Sequence, residues 1–145
     1  VDENTGKAIS GATIELVHTD KLGHYFPEGE EVIDSIFYNP RVFGYMKSSE
    51  TGEFKAHSIR PSGYPDDEGL FTPAHVHFAI HAPGYRPYYS EFLLGDDANF
   101  TSEGSIKYSD HGEESLIAES NTTDGVLSYS ITIPLQKKNQ TQKIK

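Results

Sequence analysis

Short segments in which apolar and polar residues alternate dominate the pattern along this chain. An alternation with a period of two is typical of β-strands with one buried face, because successive side chains point to opposite sides of a strand. The alternating segments are rich in Val, Ile, Tyr and Phe, and turn-forming residues lie between them. They are residues 12–17, 43–48, 53–58, 75–81, 88–94 and 126–135.

No helical pattern competes with these strands. No stretch sustains an apolar period of about 3.6 residues, and a single helical turn at 113–119 is the only helix expected. The sequence therefore predicts an all-β fold, and strands this short in a chain of 145 residues favour an antiparallel β-sandwich. We expect one domain at 1–136, followed by a flexible tail at 137–145.

Two long connections interrupt the spacing of the strands. Residues 20–39 and 60–73 each contain Tyr, Pro and Gly. Loops of this length in a compact domain usually carry function or are disordered. The pattern is already under way at Val1, which has no preceding methionine, so we expect that a further N-terminal segment exists.

Charge and composition exclude several classes of function. The formal net charge of −10 disfavours nucleic acids and anionic membrane surfaces as partners, and it mildly disfavours strongly anionic substrates. No apolar run approaches the roughly 20 residues that a membrane-spanning helix needs, so we expect no membrane span. The absence of cysteine excludes disulfides, zinc–thiolate sites and iron–sulfur clusters.

The stretch 72–81, TPAHVHFAIH, carries three histidines on one face of a predicted strand, while Val, Phe and Ile occupy the other. Imidazoles two residues apart on a strand converge, so His75 and His77 are a candidate pair of metal ligands. An isolated pair of this kind is as often structural or solvated. His81 lies a further step along the strand and is expected to line a pocket wall or meet solvent.

Two tyrosines in the long connections are candidates for the remaining ligands. Tyr25 follows the first predicted strand, and Tyr64 lies in the Pro- and Gly-containing turn just before the histidine strand. A tyrosine in such a turn is more often a packing residue. Because a phenol has an ordinary pKa of about 10, only a strongly Lewis-acidic ion such as Fe(III) would deprotonate two of them near neutral pH.

Four motifs, in order along residues 1–97, resemble those of the intradiol ring-cleavage dioxygenases. They are GATIELVHTDKLGHY at 11–25, TGEF at 51–54 with SIRPSGYP at 58–65, PAHVHF at 73–78, and APGYR at 82–86. The resemblance implies an antiparallel β-sandwich of immunoglobulin or prealbumin type, with long active-site loops, holding one non-haem Fe(III) per chain. The implied ligands are Tyr25, Tyr64, His75 and His77.

The resemblance also implies an activity. A small catechol-type aromatic diol and O2 would be the substrates, and cleavage between the two hydroxyl-bearing carbons would give a muconate-type product. Tyr25 would be the catalytic residue, dissociating as tyrosinate and accepting a substrate proton, while Tyr64, His75 and His77 stay bound. Two phenolates and one hydroxide would balance the charge of the ferric ion.

Two departures from the family pattern concern the substrate site. Thr72 stands where well-studied members carry Arg, and Glu91 stands where they carry Gln, so neither supplies a fixed positive charge. We expect Thr72, Glu91 and His24 to contact substrate, with His18 as a further candidate. Three arginines are candidates to supply the positive charge that Thr72 and Glu91 lack. They are Arg41, Arg60 and Arg86.

Two further similarities bear on location and on an alternative function. The run YYSEFLLGDD at 88–97 resembles an extracytoplasmic bacterial branch of the family, which implies a secreted or periplasmic protein rather than a cytoplasmic one. The opening DENTGKAISGA at 2–12 also resembles transthyretin-like modules. A non-catalytic β-sandwich that binds or assists another protein is therefore the alternative, and the oligomeric state is left open.

Overall fold

The computed structural model describes residues 1–28, 35–66, 69, 71–100 and 116–138. Eight strands and no helix lie in these residues, so the all-β prediction is confirmed there. None of the described residues belongs to a helix long and apolar enough to cross a membrane. The strands are β1 Thr13–His18, β2 Val42–Lys47, β3 Tyr64–Pro65, β4 Phe71–Thr72, β5 His75–His81, β6 Tyr88–Leu94, β7 Leu116–Thr123 and β8 Val126–Ser130.

Six strands form one sheet in the order β2-β1-β5-β6-β7-β8, and β3 pairs with β4 in a separate two-stranded sheet. Neighbouring strands are antiparallel except β6 and β7, which run parallel over a short stretch. The β7–β8 hairpin closes through Asp124 and Gly125, whose φ angles are 51° and 78°. Two positive φ angles in a two-residue loop are typical of a type I′ turn, which favours Asp-Gly.

The alternation pattern located five of these strands, namely β1, β2, β5, β6 and β8. The predicted strand at 53–58 is wrong, because the structure shows no ladder there although Phe54 packs against the core. The predicted strand at 126–135 ends at Ser130. The predicted helical turn is wrong from Leu116 onward, where β7 begins, and residues 113–115 lie outside the described part.

The hydrophobic core covers one face of the six-stranded sheet. Its largest contributions come from inward-facing residues of β1, β5 and β6, which pack with residues near both ends of the chain. These core residues include Ile9, Ile14, Leu16, Val76, Phe78, Ile80, Phe92, Leu94, Ile133 and Leu135. The opposite face of β5 is therefore free to carry the histidines at one end of the sheet.

A buried carboxylate ties the first turn of the chain to its last described segment. Asp2 accepts hydrogen bonds from Thr5 N at 2.9 Å, Thr5 Oγ1 at 2.8 Å and Tyr85 Oη at 3.0 Å. The ammonium of Lys137 lies 3.0 Å from the same carboxylate. These contacts, that of the Thr5 hydroxyl foremost, hold the pKa of Asp2 well below its usual range.

Asp2→Asn is expected to lower the melting temperature near neutral pH, because the ionised carboxylate is favoured in the folded state. A depressed folded-state pKa contributes stability above the unfolded value of about 3.9, and that contribution is lost as the pH falls below it. Thermal unfolding from pH 7 to pH 2 should show the gap between wild type and variant closing. Glu50→Gln, at an exposed turn, is the control. A pH-independent gap contradicts the prediction.

Candidate metal centre

Two phenols and two imidazoles meet at the end of β5. The Tyr25 oxygen lies 2.7 Å from His75 Nε2 and 2.9 Å from His77 Nε2. The two Nε2 atoms are 3.1 Å apart, and the Tyr64 oxygen lies 3.5 Å from His75 Nε2. The structure thus brings together all four side chains that the sequence predicts as metal ligands.

The spacing of these four atoms fits the ligands of one ion. Two ligand atoms that each lie about 2.1 Å from one metal ion, at a right angle to each other, are roughly 3.0 Å apart. The separations in this cluster are close to that value. Burial raises the pKa of Tyr64 above its usual value, so in the absence of a cation it remains a phenol. A donor set of two phenols and two imidazoles fits a strongly Lewis-acidic ion that converts the phenols to phenolates.

Strand β5 presents both imidazoles with a ring nitrogen directed at the centre. His75 donates from Nδ1 to the Pro73 carbonyl at 2.8 Å, so in the neutral ring Nε2 is the unprotonated nitrogen. Burial lowers the pKa of His77 to about 3, with a smaller contribution from His75. His77 is therefore a neutral imidazole at neutral pH, the form that binds metals.

The loop that carries Tyr25 is organised by the carboxylate of Asp20. This carboxylate accepts the backbone N–H groups of Leu22 at 2.8 Å and His24 at 3.0 Å, and Arg41 Nη1 lies 3.2 Å away. The His24 N–H contributes most to a lowered pKa of Asp20. Because Arg41 also donates its backbone N–H to the Tyr25 carbonyl at 2.7 Å, both sides of Tyr25 are fixed.

Asp20→Ala is expected to release the Tyr25 loop and weaken metal binding by about tenfold or more, because two backbone donors and Arg41 lose their acceptor. Metal titration of the purified variant measures the effect. Asp20→Asn is the matched variant, since its amide oxygen can still accept the two N–H groups. Wild-type affinity in Asp20→Ala contradicts this role.

The loop that carries Tyr64 is tied to the Tyr25 loop and to the short β3–β4 pair. Thr19 donates its hydroxyl to the Ser62 carbonyl at 2.6 Å, and Ser62 N–H donates to the Asp20 carbonyl at 3.1 Å. A Cβ added to Gly63 would lie 2.0 Å from the Thr72 carbonyl oxygen. The backbone of Thr72 thus approaches so closely that only glycine fits beside Tyr64.

The three predicted substrate-contacting residues lie in different surroundings. Thr72 is buried on β4, opposite Tyr64. Glu91 lies on β6 opposite His77, and its Oε2 is 3.3 Å from His77 Nδ1 and 3.9 Å from His75 Nε2. His24 has a side chain that is 60% exposed and lies 3.8 Å from Asp20, so the structure does not bring it into the cluster.

The arginines proposed to compensate for Thr72 are engaged elsewhere. Arg41 pairs with Asp20, and Arg60 contacts Asp96 at 3.1 Å, Asp97 at 3.4 Å and the hydroxyl of Tyr129. These two guanidinium groups hold the tyrosine loops. Arg86 has an exposed side chain and donates its backbone N–H to the Gln136 carbonyl.

The two remaining histidines of the prediction lie outside the cluster. His18 is buried, with Nδ1 2.6 Å from the Thr19 carbonyl and Nε2 2.9 Å from Ser58 Oγ. His81 is exposed and lies 3.2 Å from the Tyr89 hydroxyl, in agreement with the expectation that it meets solvent.

Sequence reasoning missed two parts of this arrangement. Asp20 is not among the predicted site residues, although an Asp followed by Gly23 is a signal for a turn in which the carboxylate accepts hydrogen bonds from the backbone N–H groups after it. Glu91 is predicted to contact substrate, and the structure adds its proximity to both histidines. His75, His77 and Glu91 each offer a ligand atom within 4.8 Å of the others.

Comparisons with known proteins find similar dioxygenases. A family model described as "Dioxygenase" matches residues 1–136. A 6-chlorohydroxyquinol 1,2-dioxygenase of Cupriavidus pinatubonensis is 35% identical over 56% of this chain and 32% of its own length. A catechol 1,2-dioxygenase of a Pseudomonas species is 30% identical over 67% of this chain and 35% of its own length. The chain thus spans about a third of these two relatives.

Solved structures share the fold. Catechol 1,2-dioxygenase from Pseudomonas arvilla superposes with a TM-score of 0.68 at 23% identity, over 97% of this chain and 51% of that one. An intradiol ring-cleavage dioxygenase from Tetranychus urticae gives a TM-score of 0.69 at 17% identity, over 96% of this chain and 79% of that one. Because the family model spans the chain through residue 136, this chain belongs to the intradiol ring-cleavage dioxygenase family.

Proposed function

We propose that this chain binds ferric iron through Tyr25, Tyr64, His75 and His77 and cleaves a catechol-type aromatic with O2 to a muconate-type diacid. One observation carries the proposal: four donors of the right chemistry converge, with separations from 2.7 to 3.5 Å. Family membership supports it, and so do relatives named for catechol, chlorocatechol and 6-chlorohydroxyquinol.

Each side chain of the centre would have its own role in the reaction. A bound ferric ion supplies a Lewis acid and a template for the two catechol oxygens. Tyr64 and the two histidines hold the site, each fixed by burial or by the backbone of its own segment. Tyr25 accepts a proton from a catechol hydroxyl at its phenolate oxygen, which lies at the middle of the cluster, 2.7 and 2.9 Å from the imidazoles. Glu91 and Thr72 border the substrate.

The charge around the centre favours neutral ring substituents. Glu91 places a carboxylate beside the histidines, and the described arginines nearest to the tyrosine loops pair with aspartates. A carboxylate on the substrate ring would be repelled by Glu91, and among the described residues Arg41 and Arg60 are already paired with aspartates. We expect kcat/KM for unsubstituted or chlorinated catechol to exceed that for a carboxylated catechol by at least about tenfold, or about 1.4 kcal/mol. Equal values from parallel assays contradict this.

Fold details and location complete the proposal. We infer that the main sheet is one layer of an immunoglobulin- or prealbumin-like sandwich, because residues near 9 and 133–135 cover its apolar face.

The similarity at 88–97 to the extracytoplasmic branch supports a secreted or periplasmic location. Fractionation of the native host should then recover the protein outside the cytoplasm, and recovery in the cytoplasmic fraction contradicts this location.

Iron loading and oxygen uptake test the function. The purified chain is loaded with ferric iron, its visible absorption is recorded, and O2 consumption is followed after catechol is added. The proposal predicts a red to burgundy tyrosinate-to-iron absorption and O2 uptake in proportion to catechol consumed. Apoprotein is the control. A colourless iron-loaded protein overturns the ligand assignment, and binding of catechol without O2 uptake favours a non-catalytic binding module.

A further inference from the structure

Glu91 lies beside the Nδ1 edge of the His77 ring, and the same carboxylate oxygen is 3.9 Å from His75 Nε2. The two residues are direct partners in the antiparallel β5–β6 ladder, and Glu91 Oε2 lies 3.3 Å from His77 Nδ1. The other ring nitrogen, Nε2, is the one that lies 2.9 Å from the Tyr25 oxygen. The carboxylate is only 20% exposed, so water competes weakly for it.

The two imidazoles therefore have different partners at Nδ1. His75 donates its Nδ1 proton to a neutral backbone carbonyl, that of Pro73, at 2.8 Å. His77 has an acidic side chain at the equivalent nitrogen. A carboxylate at this position fixes the tautomer and orientation of a ligating histidine and makes the ring a stronger electron donor.

We propose that Glu91 is a positioning residue that accepts the Nδ1 proton of His77 and thereby aligns His77 Nε2 for the metal. This inference rests on the proposed function for the identity of the metal. The carboxylate strengthens electron donation from His77 and so lowers the Lewis acidity of the bound ferric ion. The residue that departs from the family glutamine therefore acts through a ligand, in addition to bordering the substrate.

Variants at Glu91 test this with readouts other than turnover. Glu91→Ala should weaken affinity for Co²⁺ and for iron by about 10- to 100-fold, because His77 loses its orienting acceptor. Glu91→Gln keeps an oxygen that accepts the proton but loses the charge. It should restore most of the affinity, shift the tyrosinate-to-iron absorption to longer wavelength, and make the ferric state easier to reduce.

Glu15→Gln is the matched control, since Glu15 lies on the same sheet face in β1, opposite Ala79, and loses the same charge. It should leave affinity and absorption unchanged. Wild-type affinity in Glu91→Ala, or an unshifted absorption in Glu91→Gln, overturns the inference. Loss of binding in Glu91→Gln as complete as in His77→Ala also overturns it, because Glu91 would then be a ligand itself. Absence of the absorption in wild type would instead refute the proposed function, while Co²⁺ affinities still test Glu91.

Discussion

Tyr64→Phe is expected to remove most turnover of catechol, by roughly 10³-fold, the scale of losing a principal catalytic donor. The ferric ion would lose one of its two phenolate ligands, and the charge-transfer absorption would weaken strongly. Because Tyr64 lies half-buried and phenylalanine fills the same space, the melting temperature of the apoprotein should hardly change. Iron content, visible absorption and O2 uptake of the purified variant measure the effect.

Tyr89→Phe is the matched control for this variant. Tyr89 is an exposed tyrosine on β6, and its hydroxyl contacts His81 outside the cluster. It should keep wild-type colour and turnover. A Tyr64→Phe protein that behaves like this control would show that the Tyr64 phenol is not a ligand.

Gly63→Ala is expected to destabilise the protein by roughly 3 kcal/mol or more and to abolish iron binding. The new Cβ would lie 2.0 Å from the Thr72 carbonyl oxygen and 2.7 Å from the Phe71 ring. Since the first of these is backbone, the β3–β4 pair must open, and Tyr64 moves with it. Thermal unfolding of the apoprotein and iron titration report the two consequences separately.

Gly44→Ala separates this clash from the general effect of replacing a glycine. Its Cβ would meet only the terminal methyl of Met46 at 3.2 Å and Leu16 Cβ at 3.9 Å, and the methionine side chain can move aside. Gly44→Ala should therefore retain stability and iron binding. A Gly63→Ala protein with wild-type stability and iron content contradicts the role assigned to the close approach of Thr72.

The positions of β1 and β5 could be predicted from the sequence because one face of each strand is buried. Apolar and polar residues alternate around Ile14 in β1 and Phe78 in β5, whereas β6 ends in three successive buried residues, Phe92, Leu93 and Leu94. β3 and β4 are two residues each, too short for any periodicity, and they exist because Gly63 lets two backbones meet. β7 is mostly exposed and polar, so its sequence has no alternating signal.

The candidate site is likewise only partly predictable from the sequence. Residues close in sequence, such as His75 and His77, could be paired from strand geometry alone. The contact between His77 and Glu91 depends on the register of β5 against β6, which no local pattern specifies. Likewise, Phe54 alternates with exposed neighbours as a strand residue would, but it lies in a segment without a strand partner among the described residues.

The central claim is that this chain inserts both atoms of O2 into a catechol. Turnover of catechol by the iron-loaded chain under isotopically heavy O2, followed by mass spectrometry of the product, tests it most directly. The account predicts a ring-opened diacid that carries one heavy oxygen atom in each of its two new carboxyl groups. A quinone, or a diacid without heavy oxygen, would contradict it.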